Sequence, residues 1–379
     1  MSKVVELLEL YNPNGVFQSD LREVSSIIRG KRVTKRDVKE SGDYPVISGG
    51  ESPMGYYDTF NRDANTITIA QYGAAGYVDF QKNKFWANDV CYSILPFESV
   101  DNKYLYYTLK SKQNFIYSIR NTDAVPFSLP INTLYSIQIP LPHIKVQEEI
   151  VKILDSFTNL IDALNEELSL RQKQFEYYRE KLLTFDDDVE KFIVTEVAQL
   201  KSGLTYKPSD VSDKGILVLR SSNIKNGFLS YDDNVFVKES TKISDRSIVR
   251  CNDILICVRN GSKKLVGKCA MIDKNADGMA FGAFMSVLRA KDINPKYLFY
   301  VWSSQIIQDK IKGDDAAPIN QITSKDFNRL LIPVPKEQIQ KSIVEKLDAF
   351  ESLISSLKEE IALRQKQYEY YREKLLTFD

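Results

Sequence analysis

Residues 150–186 read IVKILDSFTNLIDALNEELSLRQKQFEYYREKLLTFD, and residues 343–379 read IVEKLDAFESLISSLKEEIALRQKQYEYYREKLLTFD. The two stretches align without a gap at an offset of 193, with 26 of 37 positions identical. A repeat of this length decides the architecture before any local reading does. In the first copy Ile150, Leu154, Phe157, Ile161, Leu164, Leu168, Arg171, Phe175, Tyr178 and Leu182 recur in alternating steps of four and three, a heptad seam with one polar interruption at Arg171. In the second copy the seam is Ile343, Leu347, Phe350, Ile354, Leu357, Ile361, Arg364, Tyr368, Tyr371 and Leu375. Neither run contains Gly or Pro, and prolines stand just before each. The pattern predicts two long helices, each about 54 Å at 1.5 Å per residue, and the simplest partner for one seam is the other. An arginine in the seam costs stability and fixes register, or faces a carboxylate. The pairs Glu166–Glu167 and Glu359–Glu360 fall outside the seam and are read as solvated.

The match runs outward from the helices. Ile139–Pro142 (IPLP) pairs with Ile332–Pro335 (IPVP), Gln147 with Gln340, and YLYY from Tyr104 with YLFY from Tyr297. Ser93 and Leu95 fall opposite Ser286 and Leu288 at the same offset, and Glu23, Val24 and Gly30 resemble Glu196, Val197 and Gly203 at an offset of 173. The chain is therefore two tandem halves whose helical ends are nearly copied and whose front parts have diverged. The expected division is 1–138, a first globular domain; 139–186, a central helix; 187–331, a second globular domain; and 332–379, a second helix. Both front parts are rich in β-formers, as in Thr66–Ala70, Ile216–Arg220 and Asp253–Arg259, with helical pieces near Tyr104–Lys110 and Tyr297–Ile311. The fold class is α/β (α+β): two mixed domains separated by two long helices that form an antiparallel coiled coil, an internal pseudo-twofold repeat.

Composition bounds the function. The chain has 379 residues, with 51 Lys+Arg against 51 Asp+Glu, which removes a uniformly basic nucleic-acid binder but not one with local basic patches. One histidine, His143, excludes His-rich metal sites, and its counterpart in the repeat is Lys336. Four cysteines without a C-x-x-C pair read as reduced thiols of a cytoplasmic protein. No stretch approaches 18 uninterrupted apolar residues, and the N-terminus lacks a signal-peptide signature. Gly261–Cys269 (GSKKLVGKC) has five residues between its glycines rather than the four of a phosphate loop, with Cys269 where Ser or Thr would bind magnesium. Gly73–Gly76 reads as a turn, and no catalytic motif or metal site is found.

What remains are basic and amide side chains, with neighbouring hydroxyls, in loops at similar stages of both halves: Lys31, Arg32, Lys35, Arg36, Gln71 and Tyr72 in the first, and Arg220, Ser221, Asn223, Lys225, Arg259, Asn260, Lys263 and Lys264 in the second. Arg, Lys, Asn and Gln are the side chains that read base edges and hold phosphates, and these residues are the candidate DNA contacts.

Two divergent α/β domains, each closed by IPLP-x4-Q-x2-IV at Ile139–Val151 or by IPVP…Q…IV at Ile332–Val344 and each followed by a long helix, resemble the specificity (S) subunit of a type I restriction-modification system. The resemblance covers essentially the whole chain. It implies a non-catalytic DNA-recognition subunit. Its two target-recognition domains would each read half of a bipartite site on double-stranded DNA, with the coiled coil as spacer. It also implies two methyltransferase (M) subunits and restriction (R) subunits as partners, with S-adenosylmethionine, ATP and magnesium on those partners and no cofactor in this chain. Two other readings remain open from the residues: a coiled-coil adaptor without DNA, and a specificity subunit of a related enzyme that cuts on both sides of its site.

Overall fold

The computed structural model describes residues 2–123, 125–186, 188–312 and 321–378; the expected boundary residue Asp187 lies outside them. The chain divides into two compact units, Met1–Glu166 with Glu359–Asp379, and Glu167–Lys358. The division cuts through both central helices, Ile144–Leu183 and Glu337–Leu376, each 40 residues long. In the first unit Phe157 stacks on Tyr371 with ring centroids 5.3 Å apart, and Leu154 shares a core with Tyr368 and Leu375. In the second, Phe350 stacks on Tyr178 at 5.4 Å, and Leu347 shares a core with Phe175 and Leu182. Each unit thus joins the early part of one helix to the late part of the other, the antiparallel pairing expected of the seam. Leu154, Leu347 and Leu357 are buried, and Phe157, Ile161, Leu164, Leu168, Phe350, Ile354 and Ile361 are half-buried. The seam arginines are satisfied within their own helices. Arg171 donates to Glu167 (3.3 Å) and Gln174 (3.0 Å), and Arg364 to Glu360 (3.1 Å) and Gln367 (3.0 Å). Glu167 and Glu360 are solvated as expected, their side chains 45% and 48% exposed, and each is also the carboxylate that its helix's seam arginine faces.

The first domain is built on a four-stranded antiparallel sheet in the order Ser25–Arg29, Cys91–Pro96, Thr66–Ala70, Val78–Gln81. Alternation sends Ile67, Ile69, Tyr92 and Ile94 to one face, where they share a core with Leu105 and Leu109 of helix Asn102–Ser111 and with Ile150 and Leu154 of the central helix. Cys91 faces the other way, toward Ile47 and Ala87 of a smaller sheet and Phe85 just before it. The second domain repeats the plan. Its sheet runs Ala198–Ser202, Met285–Ala290, Ile254–Cys257, Cys269–Met271. Ile254, Ile256 and Leu288 meet helix Pro295–Ser303 and Leu347, while Leu255, Cys257, Met285 and Val287 meet Leu219 and Phe281. The helix expected through Ile311 is broken at Ser304, after which Gln305–Lys312 begins anew. Helix Ser2–Tyr11, which the sequence reading left unassigned, lays Val4 into the first core and stacks Tyr11 on His143 at 4.3 Å.

The repeated motifs close each domain onto its helix. Strand Phe17–Asp20 pairs with Gln138–Leu141, and Lys191–Ile193 with Leu331–Pro333, so the entry and exit strands of each domain lie side by side. Tyr104 donates its hydroxyl to Pro140 O at 2.8 Å, and Tyr297 to Pro333 O at 2.9 Å. The Gln147 side chain donates to Pro142 O (2.8 Å) and accepts the Asp101 N–H (2.8 Å); Gln340 does the same with Pro335 O (2.8 Å) and Asn294 N–H (2.9 Å).

Hydrogen-bond register corrects one part of the repeat alignment. Ile94 pairs with Ile27, and Leu288 with Leu200, each partner three residues before the matched glycines Gly30 and Gly203. Ile94 is therefore equivalent to Leu288, an offset of 194, and the match of Ser93 and Leu95 to Ser286 and Leu288 is coincidental. A one-residue slip would exchange the two faces of the strand. The extra residue lies between strand and helix, because the offset returns to 193 at Asp101 and Asn294, the two N–H donors to the glutamines. Among the described residues, no helix is long and apolar enough to cross a membrane.

Candidate nucleic-acid interface

In the second unit, four chain segments converge where the strands end. Strand Ile216–Leu219 runs parallel to Ala280–Phe281, and both lead out together, into Arg220–Ser221 and Gly282–Phe284. The Leu204 N–H donates to Phe281 O at 2.7 Å, an approach that only a glycine at 203 permits: a Cβ there would sit 2.0 Å from Gly282 O. Strand Ile254–Cys257 leads into Arg259, which bridges to Gln321. Beside the Arg259 segment, the other three form an open pocket of about 410 Å³ whose lining includes Leu204, Tyr206, Arg220, Ser221, Asp233 and Phe284. On its rim the Arg259 guanidinium lies 5.4 Å from the centre of the Phe284 ring, and Asn260 donates to Ser221 Oγ at 3.1 Å. Arg220 donates through Nη2 to both carboxylate oxygens of Asp233, at 3.3 and 3.2 Å, while its Nε is buried without a partner. Phe284 is 59% exposed.

The first unit builds the same rim from different residues. The Lys31 N–H donates to Ala87 O at 2.9 Å, and a Cβ on Gly30 would lie 2.1 Å from Asn88 O. The Asn88 N–H donates to Ile47 O (2.9 Å), as Gly282 does to Leu219 O (2.9 Å). The Asn88 side chain then ties Val33 (2.9 Å to its N) and Ser48 (3.2 Å to its Oγ) into one loop cluster. Leu129 N–H donates to Gln71 O, as Ile322 N–H does to Val258 O, and Tyr72 bridges to Ser128 as Arg259 bridges to Gln321. Tyr72 and Arg259 therefore occupy one structural position in two domains, as do Ser48 and Arg220, and Asn88 and Gly282.

Each predicted contact residue has a definite place. Lys31 and Arg32 are exposed on the first rim, with Arg32 4.0 Å from Asp89. Lys35 and Arg36 are exposed on a turn closed by Thr34 donating to Asp37 at 2.7 Å, bonds that hold the Asp37 carboxyl below its ordinary range. Arg220, Ser221, Arg259 and Asn260 meet on the second rim. Lys264 is exposed on the short turn Lys263–Leu265, and Lys263 is half-buried there. The phosphate-loop-like run ends with Cys269 buried in a strand, its thiol pushed up to about 12 by burial.

Three residues differ from expectation. Gln71 is only 5% exposed; it lies at a strand exit and carries backbone bonds to Val90 and Leu129. Asn223 is fully buried, its amide donating to Ser230 O, Asp233 O and Asn234 Oδ1 while its oxygen accepts the Arg220 N–H. Lys225 pairs with Asp232 at 2.6 Å on the hairpin whose Asn226 and Phe228 line a cleft with the central helices. Conversely, Phe284, Asp233, Tyr206, Ser48 and Asn88 belong to the rims and were not singled out by sequence. The one available signal was the short run Phe281–Phe284 (FGAF), two aromatic residues spaced by a glycine and an alanine.

Comparison with known proteins assigns this arrangement. The type I restriction modification DNA specificity domain matches residues 13–170 and again 186–363. A Haemophilus influenzae protein assigned as a type I restriction enzyme specificity subunit is 29% identical, over 94% of each chain. The EcoR124I/EcoR124II specificity subunit of Escherichia coli is 30% identical over 73% of this chain and 70% of its own. In fold, the chain is similar to the type I restriction-modification S subunit of M. genitalium, with a TM-score of 0.63 at 19% identity over 96% of both chains. With one specificity domain matched in each half, the chain belongs to the type I restriction-modification DNA specificity subunit family.

Proposed function

We propose that this chain reads a bipartite sequence on double-stranded DNA, one half-site per globular domain, and works without catalytic residues of its own. The observation that carries the reading is the pair of equivalent rims lined by different side chains: one scaffold used twice, with different chemistry where base edges would be met. The central helices act as the spacer between the readers, so lengthening them would change the permitted gap and leave the half-sites alone. Two M subunits dock on the assembly and R subunits join for cleavage. Identical exposed residues on the two helices support a duplicated docking surface: Leu170 and Tyr177 on one, Leu363 and Tyr370 on the other. S-adenosylmethionine, ATP and magnesium are then handled by those partners in the cytoplasm, and an M subunit modifies a base flipped from the stack. Zero net charge suits a chain that shares its DNA grip with partners and contributes discrimination.

The test is co-expression with the neighbouring methyltransferase gene in a host lacking methylation, followed by genome-wide mapping of modified bases. A single bipartite motif with a fixed gap is expected. A soluble complex that methylates nothing in a chain-dependent way would overturn the reading.

A further inference from the structure

We propose that Tyr72 and Arg259 are the matched base-reading positions of the two domains, and that Arg259 reads a guanine in the half-site of the second. The inference rests on the specificity reading above and deepens it to individual side chains.

The register places the two residues at one site: each follows a buried residue whose carbonyl accepts an N–H from a later segment, Leu129 or Ile322, and each bridges to the residue just before that donor. Both are exposed, at the edge where the strands end. A position with the same backbone anchoring and a different side chain is what two readers of different half-sites require, because the scaffold presents the side chain and the side chain selects the base.

Chemistry separates Arg259 from the other arginine of the rim. Arg220 is committed to both oxygens of Asp233. Arg259 has no ion-pair partner among the described residues, and it lies over the exposed ring of Phe284. Cation–π attraction to the ring, 5.4 Å away, favours positions of the guanidinium over it and so lowers the entropy lost on binding. Its fork of N–H donors, left unpaired by any carboxylate among the described residues, fits the O6 and N7 acceptors of guanine in the major groove. The single phenolic hydroxyl of Tyr72 cannot make that bidentate pair, so the first domain selects a different base pair at the matching place. A phosphate contact is the competing role for Arg259, and it predicts a different outcome: uniform weakening without loss of selectivity.

The experiment uses the full chain co-expressed with its methyltransferase, with methylation motifs mapped for wild type, Arg259→Ala, Arg259→Lys and Tyr72→Ala. Arg259→Ala is expected to relax one G·C position of one half-site by on the order of ten- to a hundredfold, with the other half-site and the gap retained. Arg259→Lys keeps the charge but loses the fork and relaxes the same position, which separates base reading from any effect of Arg259→Ala on folding. Tyr72→Ala relaxes a position in the opposite half-site. An unchanged motif for Arg259→Ala, a uniform fall across all sites without relaxation, or relaxation of one shared half-site by the Arg259 and Tyr72 variants overturns the proposal. Absence of any bipartite motif from the wild-type complex overturns the specificity reading first, and this proposal with it.

Discussion

The side-chain oxygen of Gln147 accepts the backbone N–H of Asp101 at 2.8 Å, across 46 residues of sequence. The amide of the same side chain donates to Pro142 O at 2.8 Å, so one buried glutamine joins the first turn of the central helix, the proline-ended closing strand and the N-cap of helix Asn102–Ser111. Gln340 repeats all three links. Spacing in the motif follows from this geometry: the glutamine must stand five residues after the proline whose carbonyl it reaches.

Truncating the glutamine leaves buried backbone groups unpaired. Gln147→Ala or Gln340→Ala is expected to cost about 1–3 kcal/mol, read as a lower denaturant midpoint at unchanged slope. A shift of a few tenths or less would show that water replaces the side chain.

The repeated tyrosines divide by face. Tyr371 stacks on Phe157 and Tyr178 on Phe350, whereas Tyr177 and Tyr370 are 60% and 59% exposed. Tyr178→Ser and Tyr371→Ser should each destabilise by roughly 2–4 kcal/mol through lost burial and stacking. Tyr177→Ser and Tyr370→Ser should stay within about 0.5 kcal/mol of wild type while weakening methyltransferase binding. Thermal melts and co-purification measure the two effects separately; unaltered co-purification would remove these two tyrosines from the docking surface.

Gly30 and Gly203 mark the close approach that forms each rim. A Cβ would lie 2.1 Å from Asn88 O or 2.0 Å from Gly282 O, both backbone atoms that cannot rotate away. Gly30→Ala and Gly203→Ala are expected to cost about 1–3 kcal/mol by forced backbone displacement, and to impair methylation at one half-site's sequence rather than shift its gap. Wild-type melting by either variant would mean that the rim yields freely.

Burial raises the Cys91 and Cys269 thiols from the ordinary 9.0 to about 12, and raises Cys257 as well. Cys251 is half-exposed. A disulfide reagent at pH 8 should therefore react quickly with one thiol in the folded protein and with all four after denaturation. The linkage has a definite sign. With folded values above unfolded ones, the stabilisation is complete below about pH 9 and lost as pH rises toward about 12. Chemical denaturation between pH 8 and 11 should show falling stability, and Cys91→Ala should flatten the slope.

Much of the architecture was legible because it is periodic or repeated. A heptad seam free of Gly and Pro can form only a long helix with a buried stripe, and a gapless repeat of 26 identities in 37 positions requires two equivalent copies of it. Family membership was legible for the same reason, since the motif residues make the same contacts twice. The candidate contact residues were not legible at that level. Gln71 and Asn223 have the side chains of a DNA contact, yet one is buried at a strand exit and the other satisfies its loop. Phe284 and Asp233 became part of a rim only because distant segments converge on it.

The sequence by itself determined the two-fold plan, the helices and the family, because these depend on local periodicity and on self-comparison. Tertiary structure alone decided the strand register that makes Ile94 equivalent to Leu288 and Tyr72 to Arg259. Register is set by backbone hydrogen bonds between segments far apart in the chain, and one inserted residue, invisible to a pattern of similar side chains, reverses which face each side chain meets.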